Sequence, residues 1–297
     1  MKNLLLVTLL AFSLPALAEN VKTIGESAAT PEATLKAIQS HFAKEFPGIK
    51  GDDFVNGSLN FSKGSRDYNE FMTRRMGDDF DPLPGYPETL SAGKKIWETP
   101  FANGKKFTDC FPNGGKGAAT HYPNVDSATG KVNTFEGALN KCLKDNGEKE
   151  LEYSDMKTMG ALSVYAKKMS DGERIKMEIK TDAEKAAFAR GKAIFYGRVG
   201  KFEQACAHCH IQKVSKVARS EDLSPVIGQA AHWPTFRLNK ETGGVNIVTL
   251  QQRYFGCQKN TAVEKPIKQG SPESNDLEYF HTYLSNGLTM KIGVFRK

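Results

Sequence analysis

The chain has 297 residues, with 41 Lys and Arg against 34 Asp and Glu and a net charge of +7. That length exceeds one typical domain and suits two. The modest, spread positive charge resembles no nucleic-acid module and favours anionic small molecules or acidic partner surfaces. No stretch after residue 18 approaches the roughly 18–20 apolar residues of a membrane span.

The first 18 residues, MKNLLLVTLLAFSLPALA, combine Lys2, an apolar run from Leu4 to Leu14 and the small-residue site Ala16-Leu17-Ala18. This is the pattern of a secretory signal peptide cleaved after Ala18, so an exported, periplasmic mature chain is expected. It carries 40 basic against 34 acidic residues, a balance of +6. Residues 19–90 read as an N-terminal extension, with a helix expected from Pro31 to Phe46 and mainly loop over the Gly-, Asp- and Pro-rich stretch 51–90.

A faint internal repeat follows. AGKKIWETPFANGKKFTDC (92–110) lines up with RGKAIFYGRVGKFEQAC (190–206), each with a Gly-Lys-x-Ile-aromatic core, a later Gly-Lys-(Lys)-Phe and a closing cysteine. Gly93 and Gly191 each stand one turn before an aromatic, where a glycine lets two helices cross closely. Each half also ends in a candidate amphipathic helix, at 155–169 and at 275–287. Thr181 and Glu184 form a capping box at the start of the helix that opens the second half. The charged stretch 169–182, which contains Gly172, is the expected boundary. No strand signal is strong.

The second half carries Cys206-Ala-His-Cys209-His210. Two thiols two residues apart reach the two vinyl groups on one porphyrin edge, and the next histidine lies beneath the iron. Cys206 and Cys209 are therefore the expected thioether anchors of one covalently bound haem c, and His210 its proximal ligand. His208, inside the motif, reads as a surface side chain. A thioredoxin-like pair would need a βαβ setting and a zinc site a second Cys/His pair; both are missing from the pattern. Helix, cysteine motif, irregular middle and terminal helix give the expected fold: mainly α, with two cytochrome c-like domains. The first (91–170) lacks haem, since Cys110 is followed by Phe111, Pro112 and Asn113; the second (171–297) holds it.

Haem takes two of the five cysteines. In an oxidising compartment Cys110 and Cys142, which lie in the same half, are expected to pair, with Cys257 as the alternative partner of either. Closing that loop of about 30 residues contributes on the order of 3–4 kcal/mol. Cys257 is then left over, downstream of a haem whose sixth ligand is not evident. Met290, His232 and His281 are candidates, as is a Cys257 thiolate, which would stabilise ferric iron.

The residues CAHCH, LSPVIGQAAHWPTFR (223–237), Arg253-x-x-x-Cys257, LEYFHTYLSNG (277–287), CFPNGG, YPNVD and TFEGALNKC together resemble the SoxA family, the larger subunit of the SoxAX cytochrome of bacterial sulfur oxidation. The resemblance covers about residues 90–297 and points to the monohaem branch, whose first domain carries a disulfide, here Cys110–Cys142. It implies that Cys257 is the haem-ligating cysteine, found as a persulfide, and that Arg253 beside it faces the substrate anion. It also implies an L-cysteine S-thiosulfotransferase. A SoxX-like small haem subunit would be its partner, and thiosulfate would be joined oxidatively to a cysteine of a SoxYZ-like carrier. A guanidinium four positions before Cys257 fits that substrate, because it binds anionic oxygens in pairs. The competing function is plain electron transfer with an inert Cys257.

Overall fold

The computed structural model describes residues 22–56, 85–218, 221–238 and 245–296; the expected signal peptide lies outside them. The expected first helix is present as α1 (Pro31–Glu45), where the Thr30 side chain accepts from the Ala33 N–H and Pro31 opens the first turn. A short α2 (Asp53–Asn56) follows. The first half continues with α3 (Tyr86–Glu98), α4 (Phe107–Cys110), α5 (Phe135–Asp145) and α6 (Met159–Lys168). The second half has α7 (Asp182–Tyr196), α8 (Leu250–Asn260) and α9 (Pro272–Tyr283).

Two helix ends differ from expectation for local reasons. α6 starts late because Asp155 Oδ1 accepts from the Lys157 and Thr158 N–H groups, holding a turn where a helix was expected. α9 starts early because Ser271 accepts from the Ser274 N–H and Pro272 sets the first turn. The capping box of Thr181 and Glu184 forms at α7.

Both glycines of the faint repeat do what their position suggested. α3 crosses α6 at Gly93, where an added Cβ would collide with the Ala161 carbonyl oxygen and stand 2.7 Å from Tyr165 Cβ. α7 crosses α9 at Gly191, where it would collide with the Asp276 carbonyl oxygen and stand 2.7 Å from Phe280 Cβ. The second crossing is tied further by Arg190, whose Nε and Nη2 donate to Asp276 at 2.7 and 2.8 Å. Trp97 of α3 stacks on Phe107, while Phe188 and Phe195 of α7 pack on Phe280.

Once folded, the repeat extends well past the segment in which it was legible. Gly117-x-Ala-x-His121-Tyr122-Pro123 matches Gly228-x-Ala-x-His232-Trp233-Pro234, with both glycines at positive φ and both prolines in cis peptide bonds. Each motif leads into a short strand: β1 (Asn124–Val125) pairs antiparallel with β2 (Val132–Asn133), and β5 (Thr235–Leu238) with β6 (Val245–Val248). Each second strand then runs into a threonine-capped helix, α5 after Thr134 and α8 after Thr249. Cys142 and Cys257 both stand eight positions after their caps. The half without the attachment motif thus has Cys110–Cys142 as a disulfide, the expected pairing. Cys257 is the counterpart of Cys142.

The remaining strands, β3 (Val217–Ala218), β4 (Glu221–Asp222) and β7 (Phe295–Arg296), are as short; β7 adds parallel to β5. Strands of two to four residues carry no alternation to read. The stretch between the halves is stitched to both of them. The Ile175 N–H donates to Leu288 O at 3.0 Å and the Lys176 N–H to Thr120 O at 2.9 Å, with Ile175 and Met177 buried. The extension is docked too, since Lys192 Nζ donates to Ala28 O at 2.6 Å and the Tyr196 hydroxyl to Ile24 O at 2.8 Å.

Between the halves lies a buried ionic cluster. Lys167 Nζ is 2.9 Å from Glu136 Oε1, which also accepts from the Ser163 hydroxyl at 2.6 Å. Across from it, Glu278 of α9 accepts from Gln251 Nε2 of α8 at 2.9 Å. Burial opposes ionisation of Glu136, but the lysine and the serine outweigh it and hold its pKa low. Burial, and then the charge of Glu136, push Glu278 up to about 7. A carboxyl raised from 4.5 to about 7 keeps its proton in the folded chain where the unfolded chain has lost it. Its contribution is therefore full below pH 4.5 and is lost as pH rises towards 7. Glu278→Gln, which keeps an acceptor for Gln251, is expected to remove that loss and stabilise the chain on the order of 1–3 kcal/mol at pH 8. Denaturant midpoints of both proteins at pH 5 and pH 8 measure it; equal slopes would contradict it.

Candidate functional site

The Cys206–His210 segment folds as a wide helical turn. Residues His208–Gln212 close bonds one residue longer than an α-helix, with the Lys213 N–H donating to His208 O at 3.0 Å. His208 is half-buried and not simply at the surface: its Nδ1 accepts from the Ala205 N–H at 3.2 Å and so caps the turn. Burial, then Arg198 and Lys213, lower its pKa. His210 is held by Nδ1, which lies 2.8 Å from the Ser224 carbonyl oxygen. Gln229 Nε2 stands 2.9 Å from the same Nδ1, so both contacts orient the ring through that one nitrogen. Gln229 braces the arrangement, donating from Nε2 to Ser224 Oγ at 2.6 Å.

Cys257 joins this locus from α8. Burial, and then the neighbouring Cys257 and Cys209 thiols, push Cys206 up to about 12. Cys209 is raised by burial and then by Cys257. Three sulfurs close enough to feel one another's charge are thus gathered beside His210. Arg253 is partly buried one turn before Cys257 on α8, and residues four apart on a helix share a face.

Among the other candidate ligands, His232 and His281 are each tied to a protein group. His232 Nε2 donates to Val55 O at 2.7 Å. His281 Nδ1 lies 2.8 Å from the Tyr254 hydroxyl. Met290 is buried and lines a small cavity with Tyr122, Phe135, Trp233 and Glu278.

The donor set fits a haem c: paired thiols at the attachment spacing, an oriented imidazole and a soft thiol on the facing helix. Gly256, next to Cys257, borders open space: beyond its chain neighbours and its own helix backbone, no atom lies within 4 Å of a Cβ built there. Sequence reasoning missed Ser224, Gln229, Gly256 and Tyr254. The only signal for them was their proximity in the chain to His210 or Cys257.

Comparison with known proteins bears on the family of the chain. The family model described as SoxA/TsdA, cytochrome c domain, matches residues 92–175, the half without the attachment motif. The L-cysteine S-thiosulfotransferase subunit SoxA of Chlorobaculum tepidum is 35% identical over 257 residues, 86% of this chain and 85% of that protein. The same subunit of Allochromatium vinosum is 35% identical over 266 residues, 89% of each. The crystal structure of SoxXA from P. pantotrophus superposes with a TM-score of 0.64 at 28% identity, over 74% of this chain and 80% of that one. The mainly helical, cytochrome c-like fold and a covalently bound haem c follow from these likenesses. With such identity across most of its length, the chain belongs to the SoxA family.

Proposed function

We propose that the chain is the L-cysteine S-thiosulfotransferase subunit of an exported SoxX-like/SoxA pair, with Cys257 as its reactive sulfur. The observation that carries this reading is the gathering of Cys257 with Cys206, Cys209 and the oriented His210. The residue pattern of 1–18 supports export to the periplasm, and no helix among the described residues is long and apolar enough to cross a membrane.

When bound through Cys206, Cys209 and His210, haem c supplies a one-electron acceptor at the site. Arg253 holds the sulfonate oxygens of thiosulfate by charge-assisted paired hydrogen bonds. Cys257, as the persulfide the family resemblance implies, forms an S–S bond from its terminal sulfur to the outer sulfur of thiosulfate as two electrons leave. A thiolate on a SoxYZ-like carrier then attacks that outer sulfur, takes the thiosulfonate and returns Cys257 as its persulfide. Two electrons exceed what one haem accepts, which is the chemical reason for a second haem subunit. A crystal structure bearing the name SoxXA among the likenesses supports such a partner.

The test is a reconstituted reaction of holoprotein, partner cytochrome, thiosulfate and carrier. Modification of the carrier cysteine in step with cytochrome reduction is expected; reduction without modification would mean a plain electron carrier. In the same assay Arg253→Ala is expected to lower kcat/KM about 10²-fold, with Arg253→Lys recovering only part of it. Full activity in Arg253→Lys would place the anion elsewhere.

A further inference from the structure

α8 presents different residues around its axis, at about 100° per residue. Gln251, Tyr254 and Gln258 form its inward face. Gln251 bonds Glu278 and Asn275, the Tyr254 hydroxyl bonds His281, and Gln258 Oε1 accepts from the Ile267 N–H. Cys257 stands one turn after Tyr254 and about 60° round from it. Any rotation of α8 about its axis therefore moves the Cys257 sulfur towards or away from His210 and the thiols of Cys206 and Cys209.

Tyr254 and His281 are both buried, their rings lie 5.8 Å apart at 29°, and the hydroxyl is 2.8 Å from Nδ1. The internal repeat shows what this place holds when no haem is served. Setting Thr134 against Thr249 aligns Leu139 with Tyr254. Setting Ala161 against Asp276, the residues met by the two crossing glycines, aligns Ala166 with His281. Leu139 and Ala166 are each 0% exposed. The half closed by a disulfide thus has two apolar residues where the half with the attachment motif has a hydrogen-bonded polar pair. A buried polar pair gives direction that apolar packing does not, because its partners must meet at one distance and angle.

We propose that Tyr254 and His281 are a positioning pair for the SoxA reaction, fixing the rotation of α8 so that Cys257 meets the iron and the bound thiosulfate at one geometry. The inference rests on Cys257 as the reactive ligand. In this role the two residues act through the backbone of α8, by way of the bond between them.

The test uses ferric holoprotein with its partner subunit, read by electron paramagnetic resonance and by turnover. Wild type and Cys257→Ser set the two reference spectra. Tyr254→Phe, which keeps the ring, is expected to turn one sharp low-spin thiolate signal into a broadened or mixed one and to lower kcat about 10- to 100-fold with KM for thiosulfate little changed. His281→Asn, whose Oδ1 can take the place of Nδ1, is expected to keep the single signal, and His281→Leu to lose it. Wild-type spectra and turnover in both Tyr254→Phe and His281→Leu would overturn the pair's role while leaving Cys257 in place. If Tyr254→Phe fails to mature, His281→Asn against His281→Leu decides alone. A wild-type spectrum equal to that of Cys257→Ser would overturn the ligand assignment, and the pair's role with it.

Discussion

Cys257→Ser is expected to lower thiosulfate transfer to the carrier by about 10³-fold or more, with haem content unchanged. The haem anchors Cys206 and Cys209 lie on another segment, so maturation does not depend on Cys257. Serine keeps the size and loses the sulfur: it can neither join thiosulfate through an S–S bond nor give a soft, strongly donating ligand. The ferric spectrum should therefore lose its thiolate character and the reduction potential should rise, because a thiolate favours the ferric state. Wild-type transfer in this variant would take the reactive role away from Cys257.

The largest effect on folding is expected at the two helix crossings. Alanine in a helix interior ordinarily gains about 0.5–1 kcal/mol over glycine. At Gly191 the added methyl would meet the Asp276 carbonyl and Phe280 Cβ, and at Gly93 the Ala161 carbonyl and Tyr165 Cβ. The atoms in the way are backbone and Cβ, which no rotamer change moves, so the helices must separate. Gly191→Ala and Gly93→Ala are each expected to cost about 3 kcal/mol or more. Denaturant midpoints check this; a stabilised Gly191→Ala would mean that α7 and α9 do not cross as described.

These crossings also show how far the sequence could be read. Gly93 and Gly191 were legible because each sits in the same Gly-Lys-x-Ile-aromatic frame, and the frame is local. Cys206, Cys209 and His210 were legible because attachment chemistry dictates their spacing. The match of Cys142 to Cys257 was not seen, although Thr134 and Thr249 stand at equal distances before them, because loops of unequal length separate the two copies. The pairing of Tyr254 with His281 joins residues 27 positions apart through helix packing, and no spacing rule encodes it. Nothing in the sequence marks Lys167, Glu136 and Glu278 as buried, since burial of a charge is decided by what the other half brings against it.

The central claim is that Cys257 is the reactive sulfur facing the haem. Its most direct test is peptide mass mapping of holoprotein produced in a host with cytochrome c maturation, without reducing agent. The expected result is haem on the Cys206–Cys209 peptide, a Cys110–Cys142 crosslink and one additional sulfur atom on Cys257. A Cys257 that carries no extra sulfur and alkylates as an ordinary exposed thiol would contradict it.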